Sequence, residues 1–178
     1  MIRGPVLTCD PVSEKGIRLV PTTEEHLVLR EQWENDPIVI GYDLNNSPYP
    51  LTLTELRVAF HAENPPEAVA WSIEYDGKIV GRVGISLVSE LLRTAQAWVF
   101  VGEAKSRNKG IEATALRAAV RFAFEQMNVA GLHAATCERN TELIQAFEAA
   151  GFEQCGTQPH SHFIDGNYLA DWLGFLSR

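Results

Sequence analysis

Ser106 to Thr114 reads SRNKGIEAT, with two cations, a glycine and a carboxylate between a strand-like run and a strongly helical one. A turn from strand to helix leaves the first amides of the helix without intrahelical partners. Those amides, with the positive end of the helix dipole, favour an anion. Gly110 lets the backbone approach a ligand, and Arg107 and Lys109 add positive charge, so the stretch suits a pyrophosphate. The same residues also make an ordinary solvated helix start, and the loop alone does not decide between the two. His160 and His162 stand two apart on one face of a strand-like segment, where they line a cleft or form a structural pair. No third ligand accompanies them, so a metal site is rejected. Cys9, Cys137 and Cys155 are odd in number and lack CxxC spacing, which argues against a disulfide scaffold or zinc site and for buried free thiols.

These residues need elements to position them. The chain has 178 residues and is 46% hydrophobic, enough for one domain over 1–178 with a sizeable core and an irregular extension over 1–16. Its formal charge of −8 argues against nucleic acid or an anionic membrane as partner and is compatible with a cationic or amine substrate. No apolar run approaches the ~18–20 residues of a membrane span. The N-terminus lacks a signal-like apolar region, so a cytoplasmic location is expected.

The run IRLVP predicts a strand ending at Pro21, and Thr22 with Glu25 predicts a capping box for the helix that follows. Leu29 and Trp33 share a face of that helix. Thr52 with Glu55 predicts a second capped helix. In AWSIEYDGKIVGRVGISLV the period changes to two, and Asp76-Gly77 predicts a hairpin. Gly81 and Gly84 suggest a bulge or a close backbone approach. TAQAWVFV predicts a third antiparallel strand with Ala95, Ala97, Val99 and Val101 on one face. Ala95 and Ala97 either leave room on their face or meet another layer. Leu116, Ala119, Val120, Ala123, Phe124 and Met127 recur at helical spacing after the loop. GLHAATC predicts a short buried strand, Asn140 starts a further helix that stops at Gly151, and the last two strands form a hairpin around Asp165-Gly166. The order β-α-α-β-β-β-α-β-α-β-β is an α+β arrangement, a mixed sheet whose strand–helix–strand unit makes one parallel pair.

From Ile17 onward the chain resembles the GNAT family of acyl-CoA-dependent N-acyltransferases, in particular the branch of the ribosomal-protein N-terminal acetyltransferases. IRLVPTTEEHL is similar to the family's first strand and helix, and WSIEYDGKIVGRVGI to its central hairpin. The segment RTAQAWVFVGEAKSRNKGIEATALRAAVRFAF is similar to its CoA-binding strand, loop and helix, and NTELIQAFEAAGF to its Asn-led helix ending in Gly-Phe. The resemblance implies the GNAT fold, a twisted, mostly antiparallel sheet flanked by helices, with its parallel pair splayed at the cofactor site. It also implies acetyl-CoA as donor, with CoA as product, and an amine acceptor that is a protein N-terminus or a small molecule, in a monomer or homodimer.

By this resemblance the family's R/Q-x-x-G-x-G/A loop falls on Arg107, Asn108, Lys109, Gly110, Ile111 and Glu112. Asn108 replaces a common glycine, and asparagine still tolerates left-handed angles. Glu112 stands where glycine or alanine is usual and would repel a pyrophosphate unless turned away. The resemblance implies that the backbone of Trp98, Val99, Phe100 and Val101 receives the pantetheine arm, and that an amide near Phe100 or Val101 polarises the thioester carbonyl. Asn140 is implied near the pantetheine, with a plain helix cap as its alternative. The general-acid positions fall on Leu143 and Phe147, neither of which donates a proton, which leaves solvent to protonate the thiolate. Phe147 is carried over as a cofactor-lining position. For the base, Glu103 just past the strand comes first, with Glu74 and Asp171 behind it. Tyr42, Tyr49, Tyr168 and Trp172 lie in segments that shape the acceptor pocket, with core packing an equal alternative for Trp172. Direct attack by the amine through a tetrahedral intermediate is the implied reaction. A GNAT-fold module with impaired catalysis is the alternative, resting on Glu112, Leu143 and Phe147.

Overall fold

Alternating apolar residues build the centre of the molecule. The computed structural model describes residues 2–8, 16–36, 50–61, 68–164 and 166–178. Strands β3 (Ile17–Pro21), β4 (Ala68–Tyr75), β5 (Lys78–Ser89) and β6 (Thr94–Val101) pair antiparallel in sequence order. Then come β7 (Gly131–Cys137), β9 (Asn167–Ser177) and β8 (Glu153–Ile164), so the sheet runs β2-β3-β4-β5-β6-β7-β9-β8. The β6–β7 pair is parallel, as its crossover through a helix requires.

Beyond the expected strands, Ile2–Arg3 (β1) pairs parallel with Val69 and Ala70, and Leu7–Thr8 (β2) pairs antiparallel with Arg18 and Leu19. The extension expected to be irregular therefore adds to the edge of the sheet. Strands of two residues carry no readable period, and the free edges of β3 and β4 supply their partners.

Four α-helices lie among the described residues: α1 (Leu27–Glu34), α2 (Leu53–His61), α3 (Ile111–Gln126) and α4 (Thr141–Ala149). Thr52 and Glu55 form the expected box, the Glu55 carboxylate taking the Thr52 amide at 2.9 Å and its hydroxyl at 2.6 Å. The first box is corrected by one residue. Thr23 precedes a 3-10 turn over Glu24–His26, and its amide donates to His26 Nδ1 at 3.3 Å. Thr22 instead is buried, and its hydroxyl accepts from Ser72 at 3.1 Å. The spacing rule sees two adjacent threonines alike, and burial against β4 selects between them.

The core lies between one face of the sheet and α3 with α4. It gathers Leu19, Ile73, Val83, Ile85, Ala95, Ala97, Val99, Val101, Leu116, Ala119, Ala123, Leu132 and Phe147. Ala95 and Ala97 are thus buried under the helix layer and leave no room for an acyl chain. Their small size, with Ala115 and Ala119 on α3, lets helix and sheet approach closely. The opposite face carries α1, whose Trp33 meets Phe100 edge-on at 6.1 Å. A β-bulge at β4–β5 and the fit of Gly84 under the Trp98 ring answer the expectation raised by the central glycines.

Gly102, just past β6, carries a testable consequence. A Cβ there would lie 2.1 Å from the Trp33 ring. Gly102→Ala is expected to cost about 1–3 kcal/mol, the usual range for overpacking, by pushing α1 off the end of β6. A urea melt reads this as a lower midpoint with an unchanged slope.

Candidate active site

The parallel pair is brief. β6 and β7 pair only at Thr94–Gly131, Ala95–Leu132 and Gln96–His133. Beyond Gln96, β6 stays paired with β5 as far as Val101, and β7 stays paired with β9 as far as Cys137. Among the described residues no strand lies against the other edge of Ala97–Val101. Alternate residues of a strand direct their N–H and C=O to opposite edges. Part of this backbone therefore faces a wedge that opens toward the C-terminal ends of β6 and β7.

Side-chain parity sets the two faces of the wedge. Trp172 stacks on Phe147 of α4 at 5.9 Å, so its neighbour Asp171 points to the opposite face. Val99 and Val101 belong to the core with α3, so Trp98 and Phe100 point to the α1 face. Asp171, which pairs in register with Cys137 at the last position of β7, therefore shares a face with Phe100 across the opening.

The loop from β6 to α3 is built from local geometry. Glu103 caps a 3-10 turn over Ala104–Ser106, its carboxylate accepting from the Lys105 amide at 3.3 Å. Arg107 turns back toward the strand. Its guanidinium donates to the carbonyls of Val101 (3.3 Å) and Gly102 (2.8 Å) and to Asp36 (3.3 Å). Asn108 (φ 62°) and Gly110 (φ 71°) both take left-handed angles, as the loop motif demands. Lys109 is exposed, with its ammonium 5.5 Å from the centre of the Tyr75 ring. Ile111 is fully buried. Gly110 is the N-cap of α3 and has no side chain to satisfy the first-turn amides. A Cβ added at Gly110 would meet nothing within 4 Å, so the space over the helix start is open.

Glu112 lies in that first turn, half-buried. Burial pushes its carboxyl above the ordinary range, and Glu142 pushes it the same way. A hydrogen bond from its own backbone N–H and the Arg107 charge pull against them without cancelling them.

On the α1 face, Arg82 is buried with its guanidinium 5.3 Å over the Trp98 ring. Glu34 holds Arg30 at 2.5 Å and stands 3.7 Å from Arg82. Burial, with Arg30 alongside, holds Arg82 down to about 10 against the pull of Glu34. Next to the opening, Asp171 bonds His162 Nε2 at 2.5 Å, both side chains being buried.

Several expected residues fall elsewhere. A register shift between Gln158 and His162 separates the two histidines. His160 takes a left-handed φ of 58° and packs its exposed ring on Tyr168 at 5.1 Å, while His162 turns inward to Asp171. Tyr168 is exposed near the tip of that hairpin. Asn140 caps α4, its side-chain oxygen accepting from the Leu143 amide at 3.2 Å. Phe147 is 1% exposed and packs between Phe152 and Trp172, which makes it a core residue; Trp172 is core with it. Glu74 is engaged by Arg18 at 2.6 Å. Tyr42, Tyr49 and Cys9 lie outside the described residues. Sequence reasoning missed Arg30, Glu34 and Arg82. The only signal was the spacing of Arg30 and Glu34, four apart on one helix.

A family model described as an acetyltransferase (GNAT) domain matches residues 17–153. The chain is 25% identical over 158 residues to spermidine N(1)-acetyltransferase of Escherichia coli (strain K12), covering 88% of this chain and 83% of that protein. Its fold is shared by the Vibrio cholerae spermidine N-acetyltransferase solved with CoA and spermine, at a TM-score of 0.80 and 18% identity, covering 93% and 96% of the two chains. It is also shared by Mycobacterium smegmatis RimJ with CoA-disulfide, at 0.73 and 18%, covering 90% and 81%. The opened strand edge, the left-handed loop and the family match agree: the chain belongs to the GNAT acetyltransferase family, and its reaction is acetyl transfer from acetyl-CoA to an amine.

Proposed function

We propose that the acceptor is a small aliphatic polyamine, bound on the α1 face of the wedge, and that Asp171 takes the proton its attacking amine must lose. The observation that carries this reading is the buried Asp171–His162 pair, with Asp171 on β9 in register with the last residue of β7 and His162 on β8. A buried carboxylate beside a cleft is a ready counter-ion for an ammonium group. The net charge of −8 favours a cationic substrate in the same sense. The relatives named for spermidine support it further.

On the donor side, acetyl-CoA brings a thioester as the electrophile. The wedge-facing backbone of Trp98 to Val101 would hold the pantetheine arm while Val99 and Val101 stay in the core. The amides of the loop and of Gly110, Ile111 and Ala113 would take the pyrophosphate, with Lys109 adding positive charge beside it. A backbone N–H at Phe100 or Val101 would stabilise the carbonyl oxygen as charge develops there. Arg107 serves this site at one remove, by tying the loop to the end of β6.

Among the candidate bases, contacts favour Asp171. Glu103 spends its carboxylate on the Lys105 amide, and Glu74 is held by Arg18 at the far side of β5. Asp171 stands on the α1 face, where His162 orients it. Neither Leu143 nor Phe147 supplies a proton to the leaving thiolate, so solvent does.

A thiol-release assay with acetyl-CoA and a panel of amines tests the acceptor. The panel holds spermidine, spermine, a diamine, free amino acids and a peptide with a free N-terminus. Turnover is expected with the polyamines. Turnover with the peptide alone would overturn the polyamine reading in favour of a protein N-terminus.

A further inference from the structure

Thr22 and Ser72 show how this fold treats a buried hydroxyl. Both are buried, and Ser72 donates to Thr22 at 3.1 Å. Thr136 on β7 differs. It is 1% exposed, and its Oγ1 makes no hydrogen bond among the described residues. A buried hydroxyl without a partner is costly and uncommon, so its place in the fold carries information.

That place is the wedge. The last paired position of the two parallel strands is Gln96–His133, and three residues further on stand Val99 of β6 and Thr136 of β7. Thr136 is in register with Trp172, whose ring stacks on Phe147 of α4. Its side chain therefore points to the helix face of the sheet, as that of Val99 does. At this level the helix side of the wedge is flanked by an apolar side chain on one strand and a hydroxyl on the other. Asp171 and Phe100 belong to the opposite face. Because Oγ1 is buried, only a group entering between the two strands can reach it.

We infer that Thr136 Oγ1 is a hydrogen-bonding contact for the amide-bearing arm of the cofactor, and that this hydroxyl gains its partner only when the arm is in place. The inference rests on the reading that the wedge between β6 and β7 receives that arm. An amide presents an N–H and a C=O on opposite sides, and the edge of Ala97–Val101 lies on one side of the wedge only. A hydroxyl both donates and accepts, so one on the facing strand serves either group. Away from water such a second partner counts for more, because an unmatched amide is not solvated instead.

The arrangement sets stability against affinity. In the free chain the hydroxyl has left water and received no bond in return. Valine has the same shape with a methyl group in its place. Thr136→Val is therefore expected to raise the melting temperature of the free protein by about 2–4 °C, the shift that relief of one such group gives in a chain of this size. The same change is expected to weaken CoA binding about three- to tenfold, the scale of one neutral hydrogen bond. Thr136→Ser keeps the hydroxyl and is expected to bind CoA within twofold of wild type.

Thermal melts of the free full-length chains, with isothermal titration of CoA and of its nucleotide end alone (3′-phospho-ADP), make the test. Affinity for the nucleotide end is expected to be the same in all three proteins. A lower melting temperature for Thr136→Val would show that the hydroxyl is already partnered in the free chain, and overturns the inference. So does CoA affinity within twofold of wild type in that variant. An equal loss for CoA and for the nucleotide end would make Thr136 a support of the fold and not a contact of the arm. If wild type binds no CoA, the wedge reading itself falls; if wild type binds and Thr136→Val binds as well, only this inference falls.

Discussion

Replacing Asp171 by asparagine is expected to lower kcat/KM for the acceptor amine by about 10²- to 10⁴-fold, the contribution of a well-placed proton acceptor. Asparagine keeps the size of the side chain but neither carries the charge nor accepts the proton. Binding of the cofactor is expected to change little, because Asp171 projects on the α1 face from β9, on the side of β7 away from β6. Steady-state thiol release together with CoA titration separates the two effects. His162 acts through Asp171 and is a positioning residue. His162→Ala is expected to lower kcat about tenfold or more by letting the carboxylate wander from its working geometry. His162→Gln, whose amide can still donate to Asp171, recovers most of that loss. A purely structural role would show only as a lower melting temperature. If Asp171→Asn retains activity within threefold while Glu103→Gln loses it, the base is Glu103.

Phe147→Ala is expected to cost about 3–5 kcal/mol of stability, the range for removing a large aromatic side chain from a core. Phe147 is 1% exposed, stacked on Trp172 and edge-on to Phe152, so its removal leaves a cavity that neither neighbour can fill. Chemical denaturation measures the loss. Phe147→Leu distinguishes core from cofactor lining. It fills most of the space, so CoA affinity is expected to stay within about twofold of wild type while stability falls moderately. A tenfold loss of CoA affinity at unchanged stability would return Phe147 to the cofactor site.

The places where sequence and structure agree or part follow from the range of each signal. Strand β6 was legible because one face is buried, which forces alternation on the sequence; β4 and β5 are buried on both faces over 69–73 and 80–85 and were legible from their large apolar residues at alternate positions. Asp76-Gly77 marked their hairpin without ambiguity. Helix α3 was legible from its apolar repeat, and Asn140 from cap chemistry. All of these are local. The shift of the first cap from Thr22 to Thr23 depended on Ser72, fifty residues away in the chain. The parting of His160 from His162 depended on a bulge against β9, which breaks the two-residue period on which their common face rested. The pairing of His162 with Asp171, and of Arg82 with Glu34, joins residues from different elements and leaves no mark in either one. The rise of the Glu112 carboxyl above its ordinary range likewise follows from tertiary surroundings, burial first and Glu142 with it.

The brevity of the β6–β7 contact bears on what holds the molecule together. With three paired positions, the sheet is two half-sheets meeting at a short seam. Past that seam, the helices bridge the crack. Helix α3 lies on β5 and β6, α4 lies on β7, and the two helices pack on each other. The width of the wedge between β6 and β7 is therefore set by a helix–helix contact on one face of the sheet. Small buried residues on these helices, such as Ala119 on α3 and Ala146 on α4, act like the spacer in a clamp. Enlarging one would wedge the two half-sheets to a new separation, so the cleft can be retuned from positions that never meet a ligand.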